Sequence, residues 1–160
     1  MKKIKTYKQL FESNTEININ IEEMVRGYIH SALWTEELDS EYGIDDFTKE
    51  EIEYIRKDVI VFINRVKEII KKINGDEIIP FINKYSSDSF GHDLWLTRNG
   101  HGTGFWDRKE LDIAFTPSKN PYDKEYILGD VLTAIANEMG ESELYFEKPD
   151  KDKQIKRFNL

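Results

Sequence analysis

Gly91-His92-Asp93-Leu94-Trp95-Leu96-Thr97-Arg98-Asn99-Gly100-His101-Gly102-Thr103-Gly104-Phe105-Trp106-Asp107-Arg108 decides how the rest of the chain is read. This stretch holds two of the three tryptophans, two of the three histidines and four of the nine glycines. Asn99-Gly100 stands between two alternating apolar runs, a strong short-range signal for a β-hairpin. With Gly100 and His101 at the turn, Arg98 opposes Thr103, Thr97 opposes Gly104, Leu96 opposes Phe105, Trp95 opposes Trp106 and Asp93 opposes Arg108. Side chains alternate across a strand, so Leu94, Leu96 and Phe105 make a core face. Asp93, Trp95, Thr97, Trp106 and Arg108 fall on the other.

Two readings of this ribbon follow. In one it is structural, its tryptophans packed under a helix and held by cross-strand aromatic pairing. In the other it is a site, because it concentrates His92, Asp93, Arg98, Asn99, His101 and Asp107, while glycines let a ligand or partner approach the backbone. As a binding surface it presents Arg98, Asn99, His101, Trp95 and Trp106; as a hydrolase or nuclease-like active site it would use His92, Asp93, Arg98 and Asp107. Mixed imidazole and carboxylate ligands suit zinc, manganese or iron. On a ribbon, however, His92 and His101 stand about seven residue rises apart, somewhat over roughly 20 Å, too far to share one ion. No metal and no cofactor is therefore expected. No nucleophile or oxyanion donor is identifiable beside His92 and Asp93.

The same stretch resembles the signature of a widespread family of small acidic proteins encoded by tailed phages and related mobile elements. Tyr28-Ile29-His30-Ser31-Ala32-Leu33-Trp34, an acidic linker into a long helix, and a closing helix followed by Ser142-Glu143-Leu144-Tyr145-Phe146 fit that family's layout. The resemblance covers roughly residues 22–148 and departs at residues 109–127 and at both tails. It implies an origin rather than a reaction, since the family has no established activity.

Outward from the centre, the chain reads as one domain over residues 20–148, with an N-terminal arm or short helix at 1–19 and a charged tail at 149–160. Asn20 with Glu23 opens a helix whose inward stripe is Ile21, Met24, Val25, Tyr28 and Ala32, closed by Trp34; His30 reads as a packed or surface histidine. Thr48 and Glu51 open the longest helix, where Ile52, Ile55, Val59, Phe62, Val66, Ile69 and Ile73 recur at steps of three and four until Asn74-Gly75. Between these two helices lies an acidic stretch, residues 36–53, with Lys49 its only base. It reads either as a solvated face or as a surface that imitates phosphates through Glu37, Asp39 and Glu41. A short buried helix is expected over 77–85, a brief strand within 111–115, a last helix over 127–139 stopped by Gly140, and a third main strand at 143–147 antiparallel to the ribbon.

The expected architecture is thus α+β: about three main helices packed on a small antiparallel sheet centred on the 92–108 hairpin. A net charge of −8 with 34% charged residues disfavours direct binding to a nucleic-acid backbone, which requires a basic footprint. With no cysteine there is neither a disulfide scaffold nor a thiolate zinc site. No apolar run reaches a membrane span, and Lys2, Lys3 and Lys5 are followed by no signal-peptide core. P-loop, dinucleotide and metalloprotease motifs are absent from the sequence. The expected function is a phage-type accessory protein in the cytoplasm of an infected bacterial host, a monomer or homodimer. It would bind and modulate a host protein or ribonucleoprotein complex, most specifically as an anti-restriction or anti-CRISPR inhibitor. A metal-assisted hydrolase or nuclease-like enzyme built on the hairpin is the alternative.

Overall fold

The structure is a computed structural model that describes residues 19–74, 85–115, 125–147 and 154–159. Four helices dominate: α1 (Ile21–Thr35), α2 (Lys49–Asn74), α3 (Ser87–Arg98) and α4 (Leu128–Glu138). Strands β1 (Ala114–Phe115) and β2 (Tyr126–Ile127) form one antiparallel pair, and β3 (Ser142–Glu147) and β4 (Gln154–Asn159) another. The expected α+β architecture is therefore overturned. The described chain is mostly helical, and its strands make two separate two-stranded ribbons rather than a sheet on which helices pack.

The 92–108 hairpin does not form. Ser86 caps a helix by accepting from the Ser89 amide at 3.1 Å, Asp88 occupies its first turn, and Arg98 its last. Eight of its twelve residues are buried, so the one-sided apolar stripe that identifies a helix in sequence is missing. Asn99-Gly100 is the stop of this helix rather than a hairpin turn. Gly100 takes φ +65°, its amide reaches the Thr97 carbonyl at 3.4 Å, and the His101 amide reaches Leu96 at 3.1 Å. That double return is the Schellman end of a helix. Two of the expected pairings survive in this different geometry, because the chain still reverses at the same point. Arg108 binds Asp93, and Gly104 lies against Thr97, whose Oγ1 would be 2.3 Å from an added Cβ. Leu94, Leu96 and Phe105 are buried as expected of a core face.

Helices α1 and α3 touch backbone to backbone. A Cβ on Gly91 would lie 1.8 Å from the Met24 carbonyl oxygen, and one on Gly27 would lie 2.0 Å from that of Asp88. Both positions require glycine for this close crossing. Helix α2 supplies the wall behind them. Thr48 caps it by accepting from the Glu51 amide, and Ile55, Val59, Phe62 and Val66 are fully buried. Phe62 stacks on Phe105 at 5.5 Å, and Phe90 and Tyr85 continue the aromatic layer. Phe105 itself comes from a short 3-10 turn, Phe105–Asp107, against which Gly129 in the first turn of α4 packs closely.

The strand expected at 143–147 exists as β3, but its partner is β4, from the segment expected to be a charged tail, with Leu144 opposite Arg157. The helix expected over 127–139 is α4, followed by Gly140 at φ +76°. The expected N-terminal arm or short helix and the expected 77–85 helix lie outside the described residues, apart from Ile19 and Tyr85, the latter buried. Among the described residues no helix is long and apolar enough to cross a membrane.

Candidate functional site

The residues singled out in the sequence divide sharply once placed. Arg98, expected at an exposed turn, is 6% exposed on the inner side of α3. Its guanidinium donates to the Tyr28 hydroxyl at 3.0 Å, to Asp58 Oδ2 at 2.8 Å, and to the carbonyls of Gly140 at 2.8 Å and Met139 at 3.4 Å. One side chain thereby ties α3 to α1, to α2 and to the end of α4. Asn99 has a similar task, accepting from the Ser142 amide at 2.7 Å and donating to the Trp95 carbonyl. Trp95 is 1% exposed, donates its indole N–H to Thr35 Oγ1 at 2.8 Å, and meets Tyr28 edge-on. All three side chains are thus engaged within the fold, and Arg98 and Trp95 are buried rather than presented at an exposed turn, with Asn99 half-buried beside them.

His101 is exposed and lies parallel to Trp95 at 6.3 Å, beyond the end of the helix. Trp106 is 44% exposed, and Asp107 accepts from the Thr103 hydroxyl at 3.0 Å.

The alternative catalytic set is brought together only in part. His92 and Asp93 are neighbours on α3, and Arg108 grips the Asp93 carboxylate at 2.8 and 2.5 Å. Burial pushes the Asp93 carboxyl above its usual range, against the pull of Arg108. Burial, followed by the positive charge of Arg108, holds the His92 imidazole below its own. His92 Nδ1 stands 3.5 Å from Asp93 Oδ1, at the limit of a hydrogen bond, while the same carboxylate is fully engaged by Arg108. Arg98 makes its contacts elsewhere.

A groove of about 330 Å3 runs past Asp93 and Arg108, lined also by Tyr85, Ser86, Ser89 and Glu110. Its serines are occupied in capping α3, with Ser86 Oγ donating to Ser89 Oγ at 2.8 Å. Both oxygens of the Asp93 carboxylate are held by Arg108, and among the described residues no serine, threonine or cysteine lies against it in a hydrogen bond. Among the described residues no group of three or more histidine and carboxylate side chains is placed to hold a metal ion.

The residue that sequence reasoning missed is Trp34. It was expected merely to close the first helix, yet at 60% exposure it is the most exposed large hydrophobic side chain among the described residues. Its ring lies nearly parallel to that of His92, 6.4 Å away. The signal was available in the pattern. Trp34 falls off the stripe of Met24, Tyr28 and Ala32 and directly precedes the acidic stretch. Glu37, Asp39 and Glu41, the other candidate contact residues, are all exposed. No family model matches this chain, and no match is found among curated proteins or among solved structures.

Proposed function

We propose that this chain is a non-enzymatic accessory protein of a tailed phage or related mobile element, acting in the cytoplasm of the infected host. In this reading it binds a host protein or ribonucleoprotein complex and occupies the basic surface with which that target handles nucleic acid, as an anti-restriction or anti-CRISPR inhibitor does. One observation carries the choice of binding over catalysis. The titratable residues that would make an active site are engaged in holding the fold, Arg98 by four acceptors and Asp93 by Arg108, whereas the exposed acidic side chains follow directly on an exposed tryptophan. The net charge of −8 gives long-range attraction to a basic target and speeds encounter at low salt. The resemblance of the 91–108 stretch to small acidic phage proteins supports the origin.

The test is a plating assay in bacteria that carry a restriction or CRISPR system and express this chain. Challenge phage should plate more efficiently when the chain is present. A variant with Glu37, Asp39 and Glu41 all changed to lysine should lose that effect while keeping its melting temperature. Plating that never changes across such hosts, or relief that survives the charge reversal, would remove the proposal.

A further inference from the structure

The C-terminal end of α1 combines two locally unfavourable features, one of backbone and one of charge. Helices α3 and α4 are followed by Gly100 and Gly140, both with positive φ, as the left-handed position after a helix prefers. Helix α1 ends in the same double return, with the Glu37 amide reaching the Trp34 carbonyl at 3.2 Å and the Leu38 amide reaching Leu33 at 2.8 Å. Here the left-handed residue is Glu37, at φ +57°, the only non-glycine residue with positive φ among the described residues. A glutamate is strained there because its Cβ crowds the following carbonyl.

Charge is also of the unfavourable sign. The last turns of α2 and α3 carry Lys71, Lys72 and Arg98, which suit the negative end of a helix dipole, while α4, like α1, has no base there. Helix α1 has no basic residue in its last turn and runs into Glu36 and Glu37 instead. Strained or electrostatically misplaced residues that cluster beside an exposed aromatic side chain are a mark of function rather than of folding. The aromatic in question is Trp34, whose ring lies against that of His92 while 60% of the residue is exposed.

We propose that this end of α1 is the docking point for the partner protein and that its anchor is an arginine side chain lying on Trp34 while pairing with the carboxylates that follow. The inference rests on the binding reading above and names the chemistry of its central contact. Arginine fits better than lysine. Its guanidinium is planar and stacks on indole, and its fork addresses a carboxylate through two parallel hydrogen bonds. An exposed tryptophan followed in the chain by exposed carboxylates offers an aromatic anchor together with charge that disfavours an acidic partner.

The probes are two hexapeptides of equal charge, one of arginines and one of lysines, titrated against the full chain at low salt and followed by tryptophan fluorescence. The arginine peptide should bind about three- to fivefold more tightly, the ratio that an exposed cation–π contact supplies. Trp34→Ala and Trp34→Leu, each checked for unchanged circular dichroism, should abolish that preference. A Glu36→Gln, Glu37→Gln variant should weaken both peptides and flatten their salt dependence. Equal affinities for the two peptides, no binding of either, or a preference that survives both tryptophan variants would overturn the proposal. Concentration-dependent dimers that vanish in Trp34→Leu would overturn it as well, assigning the patch to a second copy of the chain. Relief of restriction in the plating assay with no arginine preference would sink this inference alone. An arginine preference with no relief in any host would sink the inhibitor reading alone.

Discussion

Arg98→Ala measures whether the central arginine holds the fold or reaches a partner. Its side chain is 4% exposed and donates to four acceptors on three different elements, including the partly exposed Asp58 at 2.8 Å. Breaking a buried ion pair by deleting one partner costs about 3–5 kcal/mol. Hydrogen bonds to a charged group contribute about 1.5–3 kcal/mol each, less where water can replace the lost donor. Asp58 is 24% exposed and regains some solvation, which places the expected loss near the lower half of the range, about 3–4 kcal/mol. With a urea m-value of about 2 kcal/mol/M, the unfolding midpoint should fall by roughly 2 M. A cycle with Asp58→Asn should show coupling of about 1–3 kcal/mol, since the two side chains touch. The assay is equilibrium urea unfolding followed by circular dichroism, run beside the plating assay. A loss below about 1 kcal/mol together with abolished plating relief would return Arg98 to the contact surface and refute this account.

Three further outcomes are expected. Phe62→Ala, which removes a fully buried ring stacked on Phe105, should cost about 3–5 kcal/mol in the same unfolding experiment. Glu37→Gly should relieve the left-handed strain and raise stability by about 1 kcal/mol, roughly 2–4 °C in melting temperature, while weakening partner binding; a lower melting temperature would show that Glu37 is at ease in its turn. His92 is held below the ordinary imidazole range when folded, so the unfolded chain binds more protons just below pH 6.5. The stability that its neutral ring contributes is present above that pH and is lost as pH falls toward the folded value, with a slope of at most about 1.4 kcal/mol per pH unit. His92→Gln should flatten that limb of the stability curve, and an unchanged profile between pH 5 and 7 would show that His92 is not its source.

What the sequence by itself determined was local. Asn20 and Thr48 each cap a helix, and the apolar steps from Ile52 to Ile73 describe α2, because caps and one-sided stripes are interactions between near neighbours in the chain. Gly100 and Gly140 were legible as breaks, and Leu94, Leu96 and Phe105 as core. The nature of the element between the breaks was not. Residues 87–98 pack against α1, α4 and the Phe105–Asp107 turn, and a helix buried on nearly all sides leaves no periodic stripe by which to distinguish it from a strand. Gly91 further weakened the helical signal, and its reason lies in α1, where the Met24 carbonyl occupies the space of a side chain. The same burial decided the site. Arg98 and Trp95 look like contact residues in a row of letters, yet tertiary packing turns them inward to Asp58, Tyr28 and Thr35, since a buried charge or indole is stable only where partners wait for it. Trp34 stands outside because its position on α1 lies away from the packed stripe, which the spacing of the letters shows, whereas which neighbours gather on that stripe is decided by the tertiary structure.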